Sequence, residues 1–193
     1  MLKAHSSMTQ LIKEAEEWIS SIHYNADHLL RTGYWVTQLD PDASEELIVA
    51  CVTHDVERTF SDGRVPQGSD EEGENIIWDD EVYNLWHGKR SAEFVRKFLE
   101  SKKASEDFIQ KVEHIIERHE MGGDPEQNLI QAADSISFLE INAARFIKNI
   151  PKKYTKDQVK EKFDYMYNRI QIPKGKELAE PFYRKALQDL DLL

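Results

Sequence analysis

The chain has 193 residues, a length that suits one globular domain with a sizeable core. Hydrophobic residues make up 40% of the chain and charged residues 32%, a balance that excludes a largely disordered protein. The formal net charge of −11 argues against general nucleic-acid binding, because phosphate backbones attract a basic surface.

Membrane attachment and secretion are not indicated. No apolar run reaches the roughly 20 residues that a membrane-spanning helix needs. The N-terminal sequence lacks the apolar core of a signal peptide, so a cytoplasmic location is expected. The single cysteine, Cys51, lies among valine and alanine residues and is interpreted as a buried, inert thiol.

Helical spacing of apolar residues dominates the first 60 residues. Leucine, isoleucine, alanine and tryptophan recur at helical spacing over residues 11–22, which predicts an amphipathic first helix. A second helix is predicted over about 26–39. A third begins near Ser44 and ends in the stretch VACVTHDVERTF, where apolar residues run directly into His54 and Asp55. This pair either caps a buried helix or holds a ligand.

The middle of the chain changes character. Residues 61–77, SDGRVPQGSDEEGENII, contain three glycines, a proline and a run of acids, which predicts a long loop. A short helix is predicted at 78–83 and a longer one over about 91–100. Trp78, Tyr83 and Trp86 are interpreted as core residues, with a lid or stacking wall beside a site as the alternative.

Capping signals predict the later helices. Ser105 is a good N-cap for a helix that ends near His119. After Gly122 and Gly123, Asp124 with Pro125 restarts a helix that runs to about residue 149. Thr155 begins another helix, and a last one follows Pro173. The sequence therefore predicts an all-α protein of one domain.

The residues that could carry chemistry are four histidines on different predicted helices and two aspartates. Imidazole and carboxylate groups are common ligands of divalent metal ions. Asp134 lies in the apolar stretch LIQAADSISFLEI, where a carboxylate is costly unless it is paired or metal-bound. The ordered set H…HD…H…H…D comprises His28, His54, Asp55, His87, His119 and Asp134.

Simpler explanations exist for each member taken alone. A single histidine is more often a structural residue than a ligand, and an isolated HD pair is weak evidence. Asp134 could cap a helix or pair with Arg145. His23 and His114 precede His28 and His119 by five residues, which turns them about 140° away on a helix. The set as a whole is the argument for a site.

Five segments together resemble the HD-domain superfamily, an all-helical family of metal-dependent phosphohydrolases. They are DHLLRT (27–32), THDVER (53–58), HGKRSAEFVRKFL (87–99), IIERHEMGG (115–123) and LIQAADSISFLE (129–140). The resemblance implies an HD-domain helical bundle in which residues 1–193 form a single domain. Its core would cover about 20–148, and C-terminal helices at 155–190 would pack on it.

The same resemblance implies the metal ligands. His28, His54, Asp55 and Asp134 would hold a first divalent ion. Asp55 would bridge to a second ion, which His87 and His119 would also hold. Two ions such as Fe, Mn, Mg or Zn are therefore expected.

The resemblance also implies substrate contacts, with one departure from the common pattern. Many relatives have HDxxK, whose lysine helps to orient phosphate, whereas Arg58 stands at that position here. Arginine can bind phosphate in bidentate fashion. Lys89, Arg90 and Ser91 follow His87 at a predicted helix N-terminus and could hold an anion, a solvated basic turn being the alternative. Arg145 and Arg169 are interpreted as surface salt-bridge residues, with a position at the site entrance as the alternative, and Glu57 as an exposed or salt-bridging residue.

The implied activity is hydrolysis of a phosphomonoester, phosphodiester or phosphoanhydride by a metal-activated hydroxide, with Asp55 and Arg58 as catalytic residues. The substrate would be a nucleotide or another small phosphorylated metabolite, and a homodimer is compatible with the sequence. Two alternatives stay open. One is a mixed-valence di-iron oxygenase of the HD fold, and the other is a non-catalytic HD module that senses a nucleotide.

Overall fold

The protein is a bundle of helices. The computed structural model describes residues 10–60 and 78–193, and no strand occurs within these ranges. The described α-helices are, in chain order, α1 (Gln10–Ile22), α2 (Ala26–Leu39), α3 (Glu45–Thr53), α4 (Glu81–Ser101), α5 (Glu106–Glu117), α6 (Pro125–Ser137), α7 (Ala143–Lys148), α8 (Lys156–Asn168) and α9 (Pro173–Asp191). The predicted all-α class is confirmed. The loop predicted at 61–77 lies outside the described residues.

Two shorter helical turns connect these elements. A 3-10 turn, Val56–Thr59, follows the end of α3. A π-helical turn, Phe138–Asn142, joins α6 to α7, so that the two helices continue one another with a single wide turn between them.

The helix starts follow the capping residues of the sequence. Ser105 accepts a hydrogen bond from the backbone N–H of Phe108 at the start of α5. Asp124 and Thr155 form capping boxes at the starts of α6 and α8. Each cap satisfies backbone donors that a helix N-terminus leaves without partners.

Helix α4 corrects one prediction. The sequence predicted a short helix at 78–83 and a separate helix from Ser91, but a single helix runs from Glu81 to Ser101, with Asp80 as its N-cap. The predicted gap, residues 84–90, lies inside this helix and includes Gly88. A Cβ atom at Gly88 would lie 2.4 Å from the backbone oxygen of Glu117, so this glycine permits close packing of α4 on α5.

The core lies between α2, α3, α5 and α6. Helix α3 contacts α1, α2, α5 and α6. Its residues Val49, Ala50, Cys51 and Val52 are fully buried, which confirms the buried thiol. This burial carries the end of α3, and with it His54, into the interior of the bundle.

The C-terminal helices cover one side of this core. Helix α9 packs against α6 and α8, and α8 also contacts α7. They place residues from the last third of the chain beside α6, which carries Asp134. None of the helices in the two described ranges combines the length and the apolar character needed to cross a membrane.

Candidate metal centre

Six side chains from separate segments meet in one buried cluster. His28 lies on α2, His87 on α4 and Asp134 on α6. His54 and His119 lie at or just beyond the ends of α3 and α5, and Asp55 follows His54. The structure thus brings together the six candidate ligands of the sequence, His28, His54, Asp55, His87, His119 and Asp134, all of which are buried.

One part of the cluster is built around Asp134. The His28 Nε2 atom lies 3.0 Å from Asp134 Oδ1, and the His54 Nε2 atom lies 3.4 Å from the same oxygen. His28, His54 and Asp55 also offer ligand atoms that all lie within 4.8 Å of one another. These groups could hold a metal ion.

The other part of the cluster is built around Asp55. The His87 Nε2 atom lies 2.7 Å from Asp55 Oδ1. Asp55, His87, His119 and Glu120 offer ligand atoms within 4.8 Å of one another. Asp55 therefore belongs to both groups, as a carboxylate that bridges two ions would. Glu120 is an addition that the sequence did not predict.

Hydrogen bonds fix the two histidines at helix ends. His54 Nδ1 lies 2.8 Å from the carbonyl oxygen of Cys51, and His119 Nδ1 lies 2.8 Å from that of Ile116. A carbonyl oxygen only accepts, so Nδ1 carries the proton in both rings. The Nε2 atoms of both rings are then left to face the cluster.

The two histidines inside helices are fixed by side chains instead. The Ser137 hydroxyl donates to the backbone oxygen of His28 at 2.8 Å, so its oxygen accepts from His28 Nδ1, also at 2.8 Å. His87 Nδ1 donates to Glu57 Oε2 at 3.0 Å. Glu57 is buried rather than exposed, because it supports this ring and lies 3.6 Å from Arg90.

The cluster fits metal ions on its own geometry. Among the described residues, His119 Nε2 is buried without a hydrogen-bond partner. Burial lowers the pKa of His119 to about 4, so that this nitrogen keeps its lone pair near neutral pH. An unpartnered buried nitrogen that faces carboxylates and imidazoles is a group that a divalent cation would satisfy.

The carboxylates of the cluster are held in the ionised form. Burial opposes ionisation of Asp134, but the charge of Arg169 outweighs it and keeps the pKa of Asp134 well below its usual value. The pKa of Asp55 is likewise held well below its usual value, against burial, by Arg58 and His87. Ionised carboxylates at both ends of the cluster favour cations.

His54 is readily protonated beside Asp134. Burial opposes protonation of His54, yet the hydrogen bond and charge of Asp134 raise the pKa of His54 to about 9. A metal ion held by His54 would take the place of that proton, since metal binding requires neutral imidazole.

Arg169 has a different role from the one predicted. It was expected in surface salt bridges, but its side chain is buried and pairs with both Asp134 and Glu120. Its Nε also donates to Ser135 at 2.8 Å. Arg145, the expected partner of Asp134, instead lies over the ring of Tyr24 at 4.9 Å.

A cavity of about 390 Å³ opens beside the cluster. Its wall combines candidate ligands, cations and aromatic rings, among them His28, Asp55, Glu120, Asp134, Arg58, Arg145, Lys153, Lys162, Trp78, Tyr83, Phe138, Phe146 and Tyr154. Trp78 and Tyr83 line this cavity and are only partly buried, which favours the alternative of a wall beside the site over a position in the core. Trp86 is not among its lining residues.

Arg58 links the cluster to the cavity. Its Nε donates to Asp55 Oδ2 at 3.0 Å, its guanidinium donates to the Tyr83 hydroxyl at 3.4 Å, and it lies 3.9 Å from Glu120. Arg58 and His87 thus contact different oxygens of the Asp55 carboxylate, Oδ2 and Oδ1 respectively.

Lys89, Arg90 and Ser91 do not line the cavity. Lys89 is exposed, Arg90 lies near Glu57, and the buried Ser91 accepts a hydrogen bond from the backbone of Glu57 at 3.4 Å. Their predicted position at a helix N-terminus is wrong, since α4 begins at Glu81. Their contact with substrate stays a prediction that the cavity does not support.

The two histidines that helix geometry set aside belong to neither group of candidate ligands. His114 is exposed and lies 2.6 Å from Asp124. His23 is buried, but its Nε2 donates to the backbone oxygen of Asp55 at 3.2 Å and its Nδ1 accepts from Asn25. His23 thus supports the backbone that carries Asp55.

Comparison with known protein families gives one match. Residues 3–183 match the family described as "Domain of unknown function (DUF4202)". Searches of curated proteins and of solved structures gave no match. Because the family match spans nearly all of the 193 residues, the chain belongs to the DUF4202 family.

Proposed function

We propose that the protein is a metal-dependent phosphohydrolase whose buried cluster is a two-ion site of the HD type. The observation that carries this proposal is the position of Asp55. Its carboxylate belongs to both groups of candidate ligands, and its second oxygen is bonded to Arg58, a cation on the wall of the adjoining cavity.

The side chains of the site divide into positioning and substrate-contacting groups. Divalent ions in such a site lower the pKa of a water molecule and neutralise the charge of a phosphoryl group. Ser137 and Glu57 hold the rings of His28 and His87 so that Nε2 faces the cluster. Arg58 is placed to donate hydrogen bonds to the oxygens of a phosphoryl group that lies beside Asp55.

The cavity supports a small anionic substrate. Its volume of about 390 Å³ lies in the range of small-molecule sites. Four cations, Arg58, Arg145, Lys153 and Lys162, line this cavity together with four carboxylates, those of Asp55, Asp80, Glu120 and Asp134. Three of these carboxylates belong to the cluster, where divalent ions would neutralise them, and the cations would then favour entry of a phosphorylated molecule.

The activity test uses protein loaded separately with Mn²⁺, Fe²⁺, Mg²⁺ or Zn²⁺ and a panel of phosphomonoesters, phosphodiesters and phosphoanhydrides. We expect metal-dependent release of phosphate or of the cleaved product, equally fast with and without O₂. Arg58→Leu should lower kcat/KM by about 10²-fold, through loss of a donor to the transferred group. Arg118→Leu, on an arginine outside the cavity lining, is the control.

Three outcomes would contradict the proposal. Consumption of O₂ with the iron-loaded protein, in place of hydrolysis, would indicate an oxygenase. Tight nucleotide binding without turnover would indicate a sensor. No product from any member of the panel with any of the four metals would leave hydrolysis without support.

Metal content is tested separately by elemental analysis. We expect about two equivalents in the parent protein and a loss of metal in His54→Ala, because His54 belongs to the candidate ligands. The exposed His114→Ala variant should keep both equivalents. One equivalent in the parent protein would place His87 and His119 outside the ligand set.

A further inference from the structure

Three cations of the cavity have no acidic partner among the described residues. Arg58 pairs with Asp55, but Arg145, Lys153 and Lys162 make no ion pair or side-chain hydrogen bond with any residue that the structure describes. They come from α7, from the turn before α8 and from α8 itself. Three cations in one cavity that no described acid pairs with are available to a ligand.

Lys162 is the innermost of the three. Arg145 and Lys153 are exposed, whereas Lys162 is half-buried. Its Nζ atom lies 4.9 Å from the centre of the Trp78 ring, 5.1 Å from that of Tyr165 and 5.4 Å from that of Phe138.

This environment is unfavourable for a resting ammonium group. Aromatic faces attract a cation, but they replace only part of its hydration. Burial accordingly lowers the pKa of Lys162 to about 8. The lysine therefore retains its charge near neutral pH in a place that stabilises it poorly, which points to an anion that arrives with a ligand.

Lys162 and Arg58 make different direct contacts. Arg58 contacts Asp55, so it serves the group that lies against the candidate ligands. Lys162 makes no ion pair with those ligands in the described structure, although the charge of Glu120 acts on it, and its ring neighbours Trp78 and Phe138 also line the cavity. The two cations thus contact different parts of the cavity wall.

We propose that Lys162, with Arg145 and Lys153, binds a second anionic group of the substrate, so that the substrate class is a small phosphorylated molecule with two separate anionic groups. This inference rests on the proposed function for the role of the first group. The second group is a phosphate or a carboxylate, both of which an ammonium binds as a point charge.

The test measures binding of three non-hydrolysable probes to Mn²⁺-loaded protein by calorimetry. Ethylphosphonate has one anionic group, while 3-phosphonopropionate and propane-1,3-diphosphonate add a carboxylate or a second phosphonate. We expect at least one two-group probe to bind about tenfold more tightly than ethylphosphonate. The tighter of the two identifies the chemistry of the second group.

Lys162→Met and Lys160→Met form the matched pair of variants. Lys160 lies on the same helix but pairs with Asp164 and does not line the cavity. Lys162→Met should weaken the preferred two-group probe about tenfold and leave ethylphosphonate within about twofold. Lys160→Met should change neither.

Lys162→Met should also raise the melting temperature of the protein without ligand, because a poorly solvated charge is removed. A lysine with a purely structural role would not combine higher stability with weaker probe binding. Equal affinities for one-group and two-group probes, absence of binding of every probe, or equal effects of the two variants would overturn the inference.

The two proposals can fail separately. Hydrolysis of phosphate esters without any dependence of two-group binding on Lys162 would remove this inference alone. Lys162-dependent binding of two-group probes without hydrolysis would remove the phosphohydrolase activity and leave the second anion site.

Discussion

Each imidazole of the cluster needs an acceptor for its Nδ1 proton, and the position of the histidine on its helix decides which acceptor is available. His54 and His119 stand at helix ends, where the ring reaches the carbonyl oxygen three residues before it, that of Cys51 or Ile116. His28 and His87 stand inside helices, and the side chains of Ser137 and Glu57, from other segments of the chain, accept from their rings instead.

The contribution of Ser137 can be isolated with a matched variant. Ser137→Ala removes the acceptor of His28 Nδ1, so we expect metal affinity to fall about 10–100-fold, as for other residues that orient a ligand. Thr32 also donates its hydroxyl proton to the backbone oxygen of His28, at 2.9 Å, but does not contact the ring. Thr32→Val should therefore leave Mn²⁺ affinity, measured by calorimetry, within about twofold.

If both variants weakened Mn²⁺ binding equally, the effect would come from the backbone of His28. The orientation of the ring by Ser137 would then be excluded as its cause.

The stability difference between the wild-type protein and Lys162→Met is expected to depend on pH. Its pKa is about 8 in the folded protein and 10.5 as an ordinary lysine, so the unfolded chain binds more protons between these values and the wild-type protein gains stability as pH rises. Lys162→Met should thus be more stable by about 1–3 kcal/mol at about pH 7. The difference should shrink above pH 8 and vanish near pH 10.5.

Urea unfolding of both proteins across this pH range checks the prediction. A constant difference between wild type and Lys162→Met from neutral to alkaline pH would show that Lys162 does not titrate as described.

At the scale of elements, the contact of α4 with α5 decides how close His87 comes to His119. The ring centroids of these histidines lie 5.3 Å apart. His87 directly precedes Gly88, and His119 follows Glu117 by two residues. A side chain at Gly88 would meet backbone atoms of Glu117, which cannot move without moving α5.

Gly88→Ala should therefore separate the two helices. We expect a stability loss of about 1–3 kcal/mol from overpacking and a fall from about two to about one equivalent of bound metal. Gly175→Ala, which would meet side-chain atoms of Ile170 and Ala132 instead, should keep the metal content of the parent. Two equivalents of bound metal in a folded Gly88→Ala protein would show that close packing at this glycine is not needed for metal binding.

The sequence predicted the features that local chemistry determines. The caps at Ser105, Asp124 and Thr155 act within three residues, and each begins a helix as predicted. The predicted gap between helices at 84–90 was wrong, because the apolar spacing there is weak and the close packing of Gly88 on α5 is visible only once the partner helix is known.

The six candidate ligands of the site could be predicted, because they match the residue pattern of a known family, but their neighbours could not. Glu57, Glu120 and Arg169 were missed because their roles depend on partners far along the chain. Arg169 meets Asp134, which precedes it by 35 residues, and His87 follows Glu57 by 30. Periodicity and capping contain no signal for such pairs, and a charged residue at a helix end looks like a surface residue until the fold is known.

At the scale of the molecule, the cluster joins segments that the chain otherwise keeps apart. Its candidate ligands come from α2, α4, α6 and the ends of α3 and α5. Two ions bound there would together connect all five segments in the folded protein and none in the unfolded chain. Metal binding is therefore expected to stabilise the whole fold.

Removal of metal by EDTA should lower the melting temperature of the parent protein, by on the order of 5–10 °C for an ion present well above its dissociation constant. His54→Ala should melt lower than the parent and respond less to EDTA. A melting temperature of the metal-loaded parent that EDTA leaves unchanged would contradict a ligand role for the cluster.

The wide turn at Phe138–Asn142 places one extra residue between the part of the helix that carries a candidate ligand and the part that lines the cavity. The backbone N–H of Ala143 bonds to the oxygen of Phe138, five residues back, so this turn contains one residue more than an α-helical turn. Asp134 precedes the turn, whereas Arg145 and Phe146 follow it on the cavity wall.

Deletion of the exposed Ile141 would remove the extra residue, so that Ala143 would follow Phe138 by four residues, as in an α-helix. Because the N–H of Ala143 and the oxygen of Phe138 are then joined as before, α7 would keep its orientation relative to α6. Such a protein should therefore still take up metal and keep its preference for two-group probes. The extra residue is thus one that the helix has absorbed, and at this turn a change in chain length leaves the cavity wall in place.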